Sequence, residues 1–307
     1  MFNGPTREKE QYPKCKVELR RWLTALAVLL VCLAATVSAA SGRETLRFGV
    51  ISLNHPLVMY RQYLPFTDYL AKQLGTEVEL VLAGDYQGIV DALVQGRVDI
   101  ALLAGVSYLK VRKLTDLRLL CAVLSPNGTP TSRSVFVARA DRDDMQSLAD
   151  LKGHSFAFGS RNSTSSYLWP LGYLDRHGIT PDEFSRWHNL KTHDAVIRAV
   201  LRGTFDAGAV SKEALVRFPQ ESLKVLATTP PFPGFVLASS PSVPDTLYLR
   251  LQSLLLNIDY TAPEVTASLG RWSPMLREGF VAVDENHYLP VQELLEKLAA
   301  KGLYGEL

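Results

Sequence analysis

The densest group of residues able to do chemistry is Asn162-Ser163-Thr164-Ser165, four consecutive small polar side chains shortly after Gly159. Leu168, Leu171 and Leu174 follow at helical spacing and Gly178 stops the run, so the four sit where a helix begins. A helix start leaves its first amides unpaired and carries partial positive charge. Three hydroxyls added there make a site without formal charge for a tetrahedral oxyanion, whereas ordinary capping would use only one of the four residues. Further on, His193 follows Asn189-Leu190 at the start of another helical stretch and offers an imidazole donor, neutral or charged.

Ser163 or Ser165 could be combined with His193 and Asp206 into a hydrolytic triad, the less favoured reading. The chain has no G-x-S-x-G elbow, no Walker loop, no His-Glu-x-x-His and no Cys pair or dense His/Asp cluster with metal-ligand spacing. A binding protein is expected rather than an enzyme, with no cofactor and no metal.

The elements that must hold these groups alternate. Leu46 to Ser52 reads as a strand, and Met59, Tyr63, Phe66, Leu70 and Leu74 recur on one helical face before Gly75. Val78 to Leu82 is a second strand, Tyr86 to Gln95 a helix after the Gly84-Asp85 turn, and Ile100 to Leu103 a buried strand. Ser155 to Phe158 is the strand that leads into the serine-threonine cluster. Such alternation predicts an α/β protein with mostly parallel sheets flanked by helices.

The segment from Asp91 to Ala101 is echoed from Arg198 to Gly208, with Asp99 and Asp206 107 positions apart, a spacing suited to two similarly built lobes. Turn-rich Ser125–Ser132 and Pro-rich Thr228–Gly234 are the expected crossings between them. The predicted division is residues 44–132 plus 235–307 for lobe 1 and 133–234 for lobe 2. A strand at Phe235 to Ala238 and helices near Pro244–Asn257 and Leu289–Leu303 would return to lobe 1.

Residues 1–40 have the layout of an export leader. Six basic residues, Arg7 to Arg21, precede an uncharged run from Trp22 to Ala40. Cleavage is expected after Ala39 or Ala40, the alternative being an uncleaved anchor helix, and the protein is expected to be periplasmic. Val31 before Cys32 does not suit lipid modification. This segment holds six of the 33 basic and three of the 31 acidic residues, leaving 27 and 28, so nucleic acid is not an expected partner. Cys15 and Cys32 would leave with it, and Cys121, in an apolar run, reads as a buried small hydrophobe.

Asp150-Leu-Lys-Gly followed by Phe158-Gly-Ser-Arg-Asn-Ser-Thr-Ser-Ser-Tyr-Leu-Trp-Pro170 resembles the signature of PhnD-type periplasmic phosphonate-binding proteins. Phe48-Gly-Val, Asp85-Tyr86, Gly96-Arg-Val-Asp-Ile-Ala, His193-Asp-Ala, Phe205-Asp-Ala-Gly-Ala-Val and Thr229-Pro-Pro-Phe-Pro occur in that family's order. The resemblance covers about Leu46 to Ala300. It implies a type II periplasmic-binding-protein fold that closes over phosphate, phosphite or a phosphonate and delivers it to an ABC permease. A membrane receptor or sensor kinase could use the same clamp, and a monomer is expected. By position, Ser163, Thr164 and Ser165 match the oxyanion grip, His193 a second donor and Tyr86 an aromatic cleft wall, with Asn162 a further candidate from its place in the polar cluster. Glu213 matches a carboxylate that meets the amine of aminoalkyl phosphonates in some members, its alternative being a solvated helix residue. Ser132 stands where the resemblance leads one to expect a ligand-contacting tyrosine. Phe235 lies near where aminophosphonate binders carry a second carboxylate, which turns the expectation toward a ligand without an amine.

Overall fold

The computed structural model describes residues 45–305, with Met1 and Gly4 as isolated positions. The expected leader, 1–40, lies outside the described residues. Among the described residues no helix is long and apolar enough to cross a membrane.

The described residues open with β1 (Leu46–Ile51), α1 (Pro56–Leu74), β2 (Val78–Ala83), α2 (Tyr86–Val94), β3 (Ile100–Leu103), α3 (Gly105–Leu114) and β4 (Arg118–Val123). The α1 pattern is the predicted one. Met59, Tyr63, Phe66, Leu70 and Leu74 are all buried, and Gly75 ends the helix at φ 67°, its amide donating to the carbonyl of Ala71. Then come β5 (Thr131–Ser132), β6 (Ser134–Arg139), β7 (Ser155–Phe158), a π-helical turn (Thr164–Leu168) running into α4 (Trp169–Arg176), β8 (Arg186–Asn189), α5 (His193–Leu201) and β9 (Ala207–Ser211). The remainder is α6 (Lys212–Leu215), β10 (Leu223–Thr228), β11 (Phe232–Pro233), β12 (Val236–Ser239), α7 (Asp245–Leu256), α8 (Pro263–Leu269), β13 (Phe280–Val281) and α9 (Leu289–Ala300).

Two sheets carry the fold, in the orders β13-β4-β12-β3-β1-β2 and β10-β6-β9-β7-β8. Each contains one strand-helix-strand core whose pairs are parallel, β2-β1-β3 and β8-β7-β9. The other pairs, β12 with β3 and β4, β13 with β4, and β6 with β9 and β10, are antiparallel. The sheets are therefore mixed: parallel where a helix returns the chain, antiparallel for β12, which enters straight from a crossing, and for the strands flanking each core. The two crossings lie side by side as the β5-β11 ribbon, Ser132 opposite Phe232.

The internal echo has a structural cause. Gly96 and Gly203 stop α2 and α5 at φ 66° and 70°, a backbone region that favours glycine. The aspartates three residues later do equivalent work: Asp99 accepts from the amide of Arg47 at 2.8 Å and Asp206 from that of Ser155 at 2.8 Å, each tying a buried strand to its neighbour's start. Arg47 completes a two-point ion pair with Asp99 at 2.9 and 2.7 Å. For Asp206, burial pushes the carboxyl pKa up, but hydrogen bonds from Ser155 and Arg142 outweigh it and hold it at about 2.

One apolar cluster fills the outer side of the six-stranded sheet beneath α1, α7 and α8, and another lies under α5. A third runs from α2 and α3 through to β7, α4 and α9, so the two halves share buried surface. The C-terminal helix α9 also reaches the second half: Leu294 fills the gap left by Gly172 of α4, where a Cβ would come within 2.5 Å, and Lys301, just past the helix, pairs with Asp175 at 2.6 Å. Cys121 is buried, which pushes its thiol pKa up and leaves it un-ionised.

Candidate functional site

β7 ends in the buried pair Ala157-Phe158, and Gly159 then turns the chain. A Cβ on Gly159 would lie 1.9 Å from Ser166 Oγ, so only glycine lets the following segment fold back this closely. Asn189 Nδ2 donates to the Gly159 carbonyl at 2.8 Å and the Gly159 amide donates to Ser166 O at 2.9 Å. The returning segment is the serine-threonine cluster. Ser163 is the cap, its Oγ accepting from the Ser166 amide at 3.2 Å, and the next turn is π-helical, with the Leu168 amide donating to Ser163 O at 3.1 Å. This wider turn is the departure from the ordinary α-helical start that the leucine spacing predicts. Ser163, Thr164 and Ser165 are 1%, 2% and 8% exposed, so their hydroxyls occupy a nearly dry place where hydrogen bonds to an anion are strong.

His193 is the first residue of α5, after the cap Thr192, whose Oγ1 accepts from the Ala195 amide at 3.1 Å. The imidazole is buried, and its Nδ1 accepts from the amide of Ser211 at 3.1 Å. Burial, with a smaller effect from the Arg217 guanidinium, lowers its pKa to about 4. The ring is neutral at physiological pH, and with Nδ1 accepting, its proton sits on Nε2. Of the neutral and charged donors left open by the sequence, this is the neutral one.

One cross-strand pair ties the two segments together. Ser134 on β6 lies opposite Ser211 on β9; Ser134 Oγ donates to Ser165 O at 2.7 Å, while the Ser211 amide donates to His193. Ser134 and Ser211 were missed by sequence reasoning, and their signal was modest: each is a serine at the end of an otherwise apolar strand.

Groups from the first sheet meet this cluster. Tyr86, buried at the first position of α2, shares a hydrogen bond with the Ser163 hydroxyl; burial raises its phenol pKa and that bond partly offsets the rise. Thr164 Oγ1 accepts from the Val106 amide in the first turn of α3 at 3.0 Å. Asn162 accepts at Oδ1 from Lys110 Nζ at 2.8 Å and donates through Nδ2 to Gln87 Oε1 at 3.4 Å. Ser132 and Glu213 meet one another, Ser132 Oγ donating to Glu213 Oε2 at 3.0 Å, one step beyond the Ser134–Ser211 pair. Glu213 is exposed on the short helix α6. Among the described residues no cluster of His, Cys, Asp or Glu is arranged to hold a metal ion.

Two mixed sheets joined by paired crossings, with a buried set of hydroxyls and a neutral imidazole at helix starts between them, define a two-lobed solute-binding protein. PhnD1 from Prochlorococcus marinus (MIT 9301), solved in complex with methylphosphonate, superposes with a TM-score of 0.76 at 23% identity over 84% of this chain and 99% of that one. The phosphonates-binding periplasmic protein of Escherichia coli K12 is 26% identical over 278 residues, 86% of this chain and 80% of its own length. The phosphate-import protein PhnD of Mycolicibacterium smegmatis is 28% identical over 206 residues, a match spanning 60% of this chain and 64% of that relative. Residues 48–288 match the model of the phosphonate ABC-transporter periplasmic substrate-binding proteins. The chain belongs to that family.

Proposed function

We propose that this protein captures a small phosphorus oxyanion, phosphate, phosphite or a phosphonate, and presents it to the permease of an ABC importer. The observation that carries the reading is the buried Ser163-Thr164-Ser165 turn beside a neutral His193 with its N–H on Nε2. A tetrahedral anion there receives hydroxyl and imidazole donors and unpaired amides. Tyr86 and Asn162 line the same site from its edge. The Ser132–Glu213 pair lies at its outer end, and Phe235, contributing no second carboxylate, favours a ligand without an amine. Lobe 1 would comprise 44–132 and 235–307 and lobe 2 133–234, the β5-β11 ribbon acting as the hinge, in a monomer exported by its N-terminal segment. The family's transport role and the relatives' phosphate and phosphonate names support an importer over a sensor or a hydrolase.

Calorimetric titration of the mature protein with phosphate, phosphite, methylphosphonate, 2-aminoethylphosphonate and sulfate tests the reading. Saturable one-to-one binding of a phosphorus anion is expected, with 2-aminoethylphosphonate weaker than methylphosphonate. Binding of sulfate alone would sink it.

A further inference from the structure

The donors assigned to the oxyanion so far are neutral: hydroxyls, amides and an imidazole with its proton on one nitrogen, the Glu213 carboxylate standing at the site's outer end. We propose that Lys110 is the cation of this site, carried by lobe 1 and brought to the serine-threonine cluster only when the lobes close. The inference rests on the oxyanion reading above.

Lys110 lies one helical turn after Val106 on α3, so the two share a face. Val106 donates its amide to Thr164 Oγ1 at 3.0 Å and Lys110 donates its ammonium to Asn162 Oδ1 at 2.8 Å. Both contacts cross from the first sheet's helices to the oxyanion turn, and Asn162 is the residue immediately before Ser163. The ammonium is half-buried and, among the described residues, forms no ion pair with a carboxylate. The nearby Asp91 carboxylate relieves it only at a distance, through a relay in which Gln87 Nε2 donates to Asp91 Oδ1 at 2.9 Å and Gln87 Oε1 accepts from Asn162. Burial accordingly lowers the lysine's pKa, and Asp91 only partly offsets it.

A half-buried ammonium without a counter-ion is costly, and an anion gripped next door removes that cost. Because Lys110 belongs to one lobe and Ser163–Ser165 to the other, the anion's charge is compensated only in the closed arrangement. Ligand charge then favours closure by differential affinity for the closed state.

The test uses the mature protein and methylphosphonate at pH 8, with Lys110→Gln, Lys110→Arg and Asn162→Ala compared by calorimetry over a range of sodium chloride concentrations. If Lys110 supplies charge, Lys110→Gln, which can still donate to Asn162, weakens binding by about ten-fold and flattens its salt dependence. Lys110→Arg should retain most of the affinity, and Asn162→Ala, which keeps the charge, should lose less than Lys110→Gln. Unchanged affinity and salt slope in Lys110→Gln, or an equal loss in Asn162→Ala with no change of slope, would reduce the contact to a mechanical latch and overturn the proposal. Wild-type protein that binds none of the phosphorus anions overturns the oxyanion reading itself, and the proposal with it.

Discussion

The two strand-helix-strand cores, β1-α1-β2-α2-β3 and β7-α4-β8-α5-β9, are built to one plan and diverge at the candidate site. Tyr86 and His193 occupy the same place, the first helical residue 13 positions before the equivalent aspartates Asp99 and Asp206. In the first core that place holds a buried phenol, in the second a buried imidazole. The larger divergence is at the end of the first strand of each core. β1 continues through the buried Ile51, whereas β7 stops at Gly159 and folds back through a π-helical turn that gathers Ser163, Thr164 and Ser165. The same scaffold thus gives the second core a buried run of hydroxyls and the first a buried phenol facing it, which under the proposed function would be grip and wall. The difference lies in one glycine and the hydroxyls it allows to turn inward.

The most severe way to break this asymmetry is Gly159→Ala, which drives a methyl group into Ser166 Oγ. A stability loss of about 3 kcal/mol is expected, read as a lower urea midpoint, together with loss of oxyanion binding. An unaffected variant would mean that the turn is not held by this close approach.

The neutral imidazole distinguishes the second core most sharply from the first. Since His193 titrates near 4 when folded instead of at its ordinary 6.5, the unfolded chain takes up its proton first as the pH falls. The group costs nothing above about pH 6.5 and destabilises the fold progressively as pH drops toward 4, by up to about 3 kcal/mol. Urea unfolding of wild type and His193→Gln at pH 7 and pH 4.5 should reveal a shallower acid loss in the variant. The variant's affinity should fall about ten-fold, by the same factor at pH 6 and pH 8 once the ligand's own titration is subtracted. A loss confined to the lower pH would mean a protonated donor.

Removing one hydroxyl is a smaller step. Thr164→Val should weaken binding by about ten-fold to a hundred-fold. It also leaves the Val106 amide without its partner in the closed arrangement, so small-angle scattering of the ligand-saturated variant should register a less compact particle than saturated wild type. A variant that binds and compacts like wild type would remove Thr164 from both roles.

The smallest expected change is Tyr86→Phe, which keeps the wall but drops the hydrogen bond to Ser163. Binding should weaken by about three-fold to ten-fold, with thermal stability changed by no more than a few degrees. A loss as large as that of Thr164→Val would make Tyr86 part of the grip itself.

Much of this was legible in the chain alone. Apolar spacing placed α1 and its glycine stop; the repeated glycine and aspartate revealed two similar cores; and consecutive small polar residues after Gly159 marked a helix start with more hydroxyls than capping needs. These are local properties, set by side-chain periodicity and backbone freedom within a few residues. What needed the tertiary structure involves partners far apart in sequence. Ser134 meets Ser165 and Ser211 meets His193 because β6 and β9 pair in one register, and the hydrogen bond that the Ser211 amide donates to Nδ1 fixes the imidazole's proton on Nε2. Lys110 reads in sequence as an ordinary helix lysine, and only the approach of α3 to the turn after β7 sets its ammonium against Asn162, 52 residues away. Periodicity tells which face of an element is buried, but a hydrogen bond between elements depends on how the sheets stack and how the lobes meet, and no local pattern encodes that.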